Sequence, residues 1–469
     1  MTLKIKIFRD PIYGYISIPN QYCLDFIDTP IFQRLRRIEQ TSMRVLYPSA
    51  HHDRFSHSIG VYHLASIAFE HLYKNSVQYY PKEIISSEQW EELKVTFLIA
   101  SLLHDCGHSP FSHTFEHFYL YQREKEIKER ISSHFSEEPT FSDDYDAAGA
   151  APHEKISALI LLENYKDAIL RNNGHPLLAA RMILGCKYKQ HDSDIQRFQN
   201  KLISLLNGTG IDVDSLDYIQ RDSWASGVSN VNIDYHRLLS SIMIRPDDNN
   251  LPRIVFKKQV LSVLENISIG RNFLYKWIYS HHKVNYEQYL LNGVIDKINS
   301  ESRDEFCRKA FCFESFFDSQ EFNGLSYFLP TDDDIIYTLK QYSKTDTRIQ
   351  EYLSRNYRYK AIWKTHFEFE NSYFNDVSED NRMAIYTQIN KGALNKKYGE
   401  GNILCLEAKP KLKGLSANHF FIDVDGKFID ASKASNLPNE NLSYFIVYVT
   451  EEISGRRNEI VKDIFSLQS

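Results

Sequence analysis

Between His104 and His117 the chain reads HDCGHSPFSHTFEH, four histidines in fourteen positions directly after the apolar run LIASLL. A core helix has no packing use for so much imidazole. Histidine ligates metals, shuttles protons and steers anions, and the adjacent His104-Asp105 pair sits where a buried carboxylate is costly unless it is hydrogen-bonded or metal-bound. His57 lies on another helical stretch, and GIDVDSLDYIQRDSW brings Asp212, Asp214, Asp217 and Asp222. Two imidazoles with two carboxylates form a mixed nitrogen and oxygen donor set that suits Mn, Fe, Zn or Mg better than a soft metal. Such an ion activates water or polarises a phosphoryl oxygen. The plainer alternative, that each histidine is a satisfied core or surface residue, is reasonable for any one of them and poor for the whole set.

The elements that must position these residues are mostly helical. The opening KIKIFRDPIYGYISI alternates around Pro and Gly and predicts strand, turn, strand. From TPIFQRLRRI the period becomes helical, with Pro30 behind Thr29 at a helix start. DRFSHSIGVYHLASIAFEHLY predicts a second helix and EELKVTFLIASLLHD a third, apolar all round in its last turns and therefore buried. The acidic, small-residue segment SSHFSEEPTFSDDYDAAGAAP reads as a surface insertion. Helices resume at PHEKISALILLENY and QNKLISLLNG, HRLLSSIMIRPDDNNLPRIVF reads as two strands about an Asp/Asn turn, and residues 260–298 read as long and helical. Beyond about residue 300 the pattern weakens until β-type alternation with a D-G turn returns near the end. The expected architecture is mainly α: a helical core with short N-terminal and inserted β-hairpins over residues 1–300, and a smaller α+β lobe over 301–469 serving oligomerisation or regulation.

Composition sets outer limits. The 469 residues are 42% hydrophobic and 25% charged, a soluble globular profile, and no apolar run approaches bilayer length. Six cysteines stand far apart without a C-x-x-C pair, and the N-terminal stretch lacks an apolar signal core, so a cytoplasmic protein with reduced thiols is expected, away from membranes. A net charge of −6 argues against coating of nucleic acid while allowing a local basic pocket for a small polyanion.

Six segments, DPIYGYISI, IDTPIFQRLRRIEQ, HHDRFSHSIGVYHLA, LLHDCGHSPFSHTFEH, HEKISALILLE and GIDVDSLDYIQRDSW, occur in the order seen in the HD-domain phosphohydrolases. Across residues 4 to 290 the chain more closely resembles the deoxynucleoside triphosphate triphosphohydrolases related to the mammalian antiviral enzyme that joins a sterile alpha motif to an HD domain. The sterile-alpha-motif part is not matched. The resemblance implies a helical HD core with His57, His104, Asp105 and Asp214 as ligands of one divalent ion. It implies that Arg54, on the same helical face as His57, reaches a substrate phosphate. His108 and His153 would lie along the triphosphate, and His113 would be the general acid for the leaving 5′-oxygen. Glu116 stands where the family places an Asp to orient that acid.

The same resemblance implies that Gln40, Thr41, Tyr218, Asp222 and Tyr279 surround the deoxyribose, with Tyr279 crowding the 2′ side and Thr41 standing where the mammalian enzyme has Leu. After Asp214 the relatives often carry a phosphate-binding Lys; here Ser215 leaves that work to Lys283 or Arg271. Asp28, Gln33 and Arg36 match residues that bind an activating guanine nucleotide between subunits of tetrameric relatives. Read without the resemblance, those three belong to a solvated helix. The implied activity is metal-dependent hydrolysis of dNTPs at the α-phosphate to deoxynucleoside and triphosphate, regulated by nucleotide in a dimer or tetramer; in a bacterial or viral setting it would deplete nucleotide pools as in defence against phage. Two rivals stand beside it: an HD phosphodiesterase acting on a cyclic or oligonucleotide messenger, and an inactive nucleotide-sensing scaffold.

Overall fold

The computed structural model describes residues 4–467 except 121, 191–192, 209, 229–230, 416–419 and 435–439. It is mainly α with small sheets, as the periodicities predict. The N-terminal hairpin pairs β1 (Ile5–Asp10) with β2 (Gly14–Pro19) in antiparallel register.

Four helices build the site. Helix α1 (Arg54–Ser76) starts at Asp53, whose carboxylate accepts the Ser56 N–H at 2.8 Å. Helix α2 (Ser87–Leu103) opens on a Ser86/Gln89 capping box and buries nearly its whole second half, so it ends on His104 inside the protein. Helix α3 (Pro152–Asn164) packs beneath the histidine-rich turn, and α4 (Val213–Ser226) begins at the capping carboxylate of Asp212. Gly107 explains how closely α3 can approach. A Cβ there would lie 2.4 Å from the backbone N of Ser157, so any side chain would push the turn off the helix.

The stretch Pro30–Arg37 departs from the expected regular helix: one α-turn over Pro30–Gln33 tightens into a 3₁₀ turn over Arg34–Arg37. The chain then runs extended because residues 38–40 pair with residues 52–54, through Arg54 N to Ile38 O at 3.0 Å and Gln40 N to His52 O at 3.1 Å. Arg34 turns inward to the carbonyls of His108 and Pro330.

The segment after Ser133 is not a surface insertion. Phe135 and Phe141 stack in the core at 3.6 Å, and buried Arg181 holds Asp144 and Glu138. Its three aromatics outweigh its acidic composition once Arg181 neutralises two of the acids.

The predicted long helix over 260–298 is two helices, α5 (Leu261–Phe273) and α6 (His282–Glu301), separated by a π-helical turn at Leu274–Tyr279. The strand pair Met243–Pro246 and Pro252–Lys257 is present, although HRLLS itself is helical (Tyr235–Ser240). Strand Phe420–Val424 adds to this hairpin in parallel and carries Lys427–Asp430 at the edge, across the D-G turn. The inserted and C-terminal hairpins thus share one sheet.

The main hydrophobic core extends through residues 306–349 and takes in Phe420, Ile422 and Ala431. A second core gathers the strands Tyr359–Ala361, Ile403–Ala408 and Tyr444–Thr450 with the helices Glu379–Asn390 and Arg457–Phe465, and Tyr286 and Leu290 of α6 join it. Among the described residues no helix is long and apolar enough to cross a membrane.

Candidate active site

His57 on the first turn of α1 meets His104 and Asp105 at the end of α2 in the interior, and Asp214 at the start of α4 joins them from the cleft side, its side chain 39% exposed. His57 Nε2 lies 3.0 Å from Asp214 Oδ1 and 3.6 Å from Asp105 Oδ2; His104 Nε2 lies 3.5 Å from Asp105 Oδ1 and 3.8 Å from Asp214 Oδ1. The other ring nitrogens are engaged: His57 Nδ1 donates to Asp217 Oδ2 at 2.7 Å and His104 Nδ1 to the Ser101 carbonyl at 2.9 Å. Both Nε2 atoms are buried and lack a partner in hydrogen-bond geometry among the described residues.

This is the arrangement of imidazoles pre-set to ligate. The donors fit one divalent cation of the Mn, Fe, Zn or Mg type. Burial disfavours a charged His57 imidazole, but the Asp214 and Asp217 carboxylates overcome it and lift the group to about 10. Burial likewise opposes ionisation of Asp214, yet the two imidazoles draw it well below the carboxylate range. The C-terminal end of α2 adds negative potential, so the pocket demands positive charge.

Asp217 carries no motif signal of its own, and the sequence offered it only as one acid of four. It is fully buried and holds His57 on one side and Arg221 on the other, at 2.8 and 3.0 Å, while Arg221 also reaches Asp10. Gly60, one turn after His57, makes room for it. A Cβ at that position would fall 2.0 Å from Asp217 Oδ1 and 2.4 Å from Arg221 Nη2.

A second histidine cluster adjoins the first. Glu116 bridges His113 Nδ1 (2.8 Å) and His153 Nδ1 (2.5 Å), so the longer carboxylate spans the i, i+3 gap. His108 is fully buried and stacks on His153 with centroids 4.3 Å apart, and neither of its ring nitrogens has a partner among the described residues. Burial, then the charge of Arg54, pushes it well below the ordinary imidazole value, so it is neutral. His113 is the open member, its side chain 61% exposed.

Phe111 and Ser112 precede it with φ of 58° and 50°, a left-handed pair of non-glycine residues that costs energy unless the surroundings enforce it. They do: Asp332 accepts the Phe111 N–H at 2.6 Å and the Glu39 N–H at 2.9 Å, and Ser112 Oγ accepts from Arg54 and donates to the Glu39 carbonyl. Nothing in the sequence pattern marked Asp332.

Both clusters border one cleft of about 490 Å³. Gln40, Thr41, Arg54, His113, His153, Tyr218, Asp222, Arg271 and Tyr279 line it. Arg54 is held by Asp105 at 2.7 Å, by Ser112 and by the Gln40 carbonyl. Asp222 joins His52, at 2.6 Å, to the Tyr279 hydroxyl, giving the cleft a braced wall at the end of the π-helical turn.

Lys283 is not among the lining residues. It sits on the other face of α6 and borders a separate cavity with Tyr286, Lys360 and Lys364, because Val284 and Gln288 take the positions that face the cleft. Lys413, from a stretch with no motif, does line the cleft. Asp28, Gln33 and Arg36 lie apart from it: Asp28 pairs with Lys6, Gln33 donates to the Ile27 carbonyl and accepts from Arg36, and the Arg36 guanidinium stacks on Phe55. Arg36 alone of the three borders a neighbouring cavity of about 630 Å³.

Comparison with known proteins agrees with this geometry. Residues 54–184 match the HD domain, which contains His57, His104 and Asp105. The chain is 28% identical over 298 residues to the uncharacterized protein YwfO of Bacillus subtilis, covering 62% of this chain and 55% of that one. It is 30% identical over 285 residues to the human deoxynucleoside triphosphate triphosphohydrolase SAMHD1, covering 59% of this chain and 42% of the human protein. The chain thus spans about half the length of the curated relatives it matches. A hypothetical protein from Aquifex aeolicus superposes with a TM-score of 0.66 at 23% identity over 97% of this chain and 99% of its own, and a phosphohydrolase from Bacteroides thetaiotaomicron with 0.64 at 22% over 96% and 100%, both of which establish the fold. The likeness to HD-domain triphosphohydrolases read from the motifs is supported.

Proposed function

We propose that this protein is a metal-dependent hydrolase that cleaves dNTPs at the α-phosphate, releasing a deoxynucleoside and intact triphosphate. The observation that carries this reading is the juxtaposition, along one cleft, of a candidate cation site formed by His57, His104 and Asp105 with Asp214 3.0 Å from His57, and an exposed imidazole, His113, oriented by Glu116. A divalent cation would be held by His57, His104, Asp105 and Asp214, where it would supply Lewis acidity and activate water. Asp217 fixes the His57 tautomer. Arg54, anchored on Asp105, presents its guanidinium to the α-phosphate region. His113 gives a proton to the departing 5′-oxygen, and Glu116, 2.8 Å from its Nδ1, aligns it. His153 shares the Glu116 carboxylate and adds positive charge beside the triphosphate, while neutral His108 buttresses His153 by stacking. Tyr218, Gln40, Thr41 and the Tyr279–Asp222–His52 wall enclose the sugar. Tyr279 narrows the 2′ side by sterics.

Asp28, Gln33 and Arg36 form the regulatory part of the reading, a site for an activating nucleotide in an assembled dimer or tetramer. The exposed position of Arg36, at the edge of a cavity of about 630 Å³ and oriented by Gln33, supports it.

The test incubates purified protein with each dNTP and NTP, singly and in pairs, with Mg²⁺ or Mn²⁺, and resolves the products. Triphosphate with deoxynucleoside is expected, and His113→Ala should cut turnover by about a hundredfold or more while metal stays bound. Orthophosphate with a dNDP, or pyrophosphate with a dNMP, refutes the reading.

A further inference from the structure

A triphosphate brings about four negative charges into a cleft whose walls already hold Asp105, Glu154, Asp212, Asp214 and Asp222. Its cationic side chains, histidines aside, are Arg54, Arg271 and Lys413. Arg54 spends its guanidinium on Asp105, Ser112 and the Gln40 carbonyl. With Arg54 committed at the α-phosphate end, Arg271 and Lys413 are the cations left to meet the rest of a polyanion.

Lys413 is built into place. The side-chain amide of Asn272 takes both of its backbone groups, accepting the Lys413 N–H at 2.8 Å and donating to its carbonyl at 3.1 Å, while Arg271 Nη1 donates to the Lys411 carbonyl at 2.9 Å. Two neighbouring side chains of α5 thus fasten residues 411–413 over the cleft, and Arg271 lies flat on Tyr275 at 3.9 Å. The strand Lys411–Leu412 is pinned from its other side by pairing with Glu440–Asn441. Among the described residues the Lys413 ammonium has no ion-pair or hydrogen-bond partner. The nearby Asp212 carboxylate is occupied by the N–H groups of Ser215 and Gly208. Burial, then the neighbouring Arg271, pulls the Lys413 ammonium below the usual lysine value, against the opposing charge of Asp212. A surface lysine with no task does not need its backbone bolted at both ends beside an arginine.

We infer that Lys413, delivered by the C-terminal third of the chain, is the ammonium that binds the triphosphate of the substrate, acting with Arg271 and standing in for a basic group at Ser215, the residue after Asp214 on the same cleft wall. This rests on the triphosphohydrolase reading. It also makes Asn272 a positioning residue, acting through Lys413.

The experiment compares wild type, Lys413→Ala, Lys413→Arg, Asn272→Ala and the double variant Lys413→Ala/Ser215→Lys, with melting temperatures recorded to confirm folding. Steady-state kinetics on the preferred dNTP should show kcat/KM down about 10- to 100-fold for Lys413→Ala, the scale of losing a charged hydrogen bond. Most of the loss should fall in KM, with Lys413→Arg near wild type, Asn272→Ala intermediate, and at least half of the logarithmic loss recovered by Ser215→Lys. Inorganic tripolyphosphate binding, measured by calorimetry on the metal-loaded proteins, should weaken in the same order. Lys413→Ala with kcat/KM and tripolyphosphate affinity within twofold of wild type overturns the inference. A wild type that releases no triphosphate from any dNTP overturns the functional reading instead, and the calorimetry then decides on Lys413 alone: weaker tripolyphosphate binding in Lys413→Ala upholds its role as a polyphosphate cation, and equal or absent binding removes it.

Discussion

Asp217→Asn removes a charge that touches no substrate, and it should cost the protein its metal. The buried carboxylate accepts three hydrogen bonds, from His57 Nδ1 at 2.7 Å and from Arg221 at 2.8 and 3.0 Å. An asparagine offers one oxygen to those three donors and turns an NH₂ group toward one of them. His57 then loses either its tautomer or its orientation, and outer partners of this kind are worth about 10- to 100-fold in metal affinity. Stability falls as well: stripping one partner from a buried ion pair costs roughly 3–5 kcal/mol, and the lower end is expected because Arg221 keeps Asp10 at 3.0 Å. Asp10→Asn separates the two effects, since it weakens the Arg221 pair without touching His57. Calorimetric titration with Mn²⁺ and denaturant unfolding of the metal-free proteins provide the readout. Asp10→Asn should lose stability and keep wild-type metal affinity, whereas Asp217→Asn should lose both. Wild-type affinity in a folded Asp217→Asn protein would refute the claim that Asp217 pre-sets the ligand.

The Glu116 bridge should be visible in the pH dependence of stability. Burial pushes Glu116 up and His153 down, and their mutual hydrogen bond reverses both. The raised His153 contributes fully below the unfolded imidazole value of about 6.5 and loses its contribution as pH rises through its higher folded value; the depressed Glu116 contributes above about 4.3 and loses it as pH falls. Glu116→Gln should therefore lower the melting temperature most between those limits and flatten its pH profile, and an unchanged profile counts against the bridge. Tyr279→Ala, which empties the wall braced by Asp222 and His52, should raise NTP turnover relative to dNTP by roughly tenfold; unchanged discrimination places the sugar gate elsewhere. Arg36→Ala should abolish a nucleotide-dependent rise in mass measured by light scattering with dGTP, GTP or dTTP, and a wild type that stays monomeric with full activity on a single dNTP removes the regulatory site.

The legible part of this protein is local. The helical period of DRFSHSIGVYHLA and EELKVTFLIASLLHD places His57 within and His104 at the end of the helices where the structure has them, the first capped by Asp53 and the second by Ser86. The His104-Asp105 pair could be read because an apolar helix runs straight into it. What escaped reading depends on contacts between residues far apart in the chain. Residues 30–37 have a helical pattern, yet the bridge between residues 38–40 and 52–54 takes the chain away after two turns. The segment 133–151 reads as solvated until Arg181 is seen to neutralise its acids. Lys413 lines the cleft and Lys283 borders a separate cavity, and no periodicity reports that.

The two histidine clusters also divide their work by electrostatics. The inner imidazoles meet three carboxylates, Asp105, Asp214 and Asp217, and a helix C-terminus, a combination that favours positive charge and suits a cation. The outer imidazoles share a single carboxylate, Glu116, with Arg54 nearby to discourage further protonation of His108. The outer cluster thus has one carboxylate for three rings, and the inner cluster three carboxylates for two. Asp105 is shared between them, bonded to Arg54 and facing both inner imidazoles, so a change of charge at the cation site is felt by the guanidinium at the cleft wall. On the proposed reading, the cation site and the proton donor would act on the same bond, in keeping with their lying along one cleft of about 490 Å³.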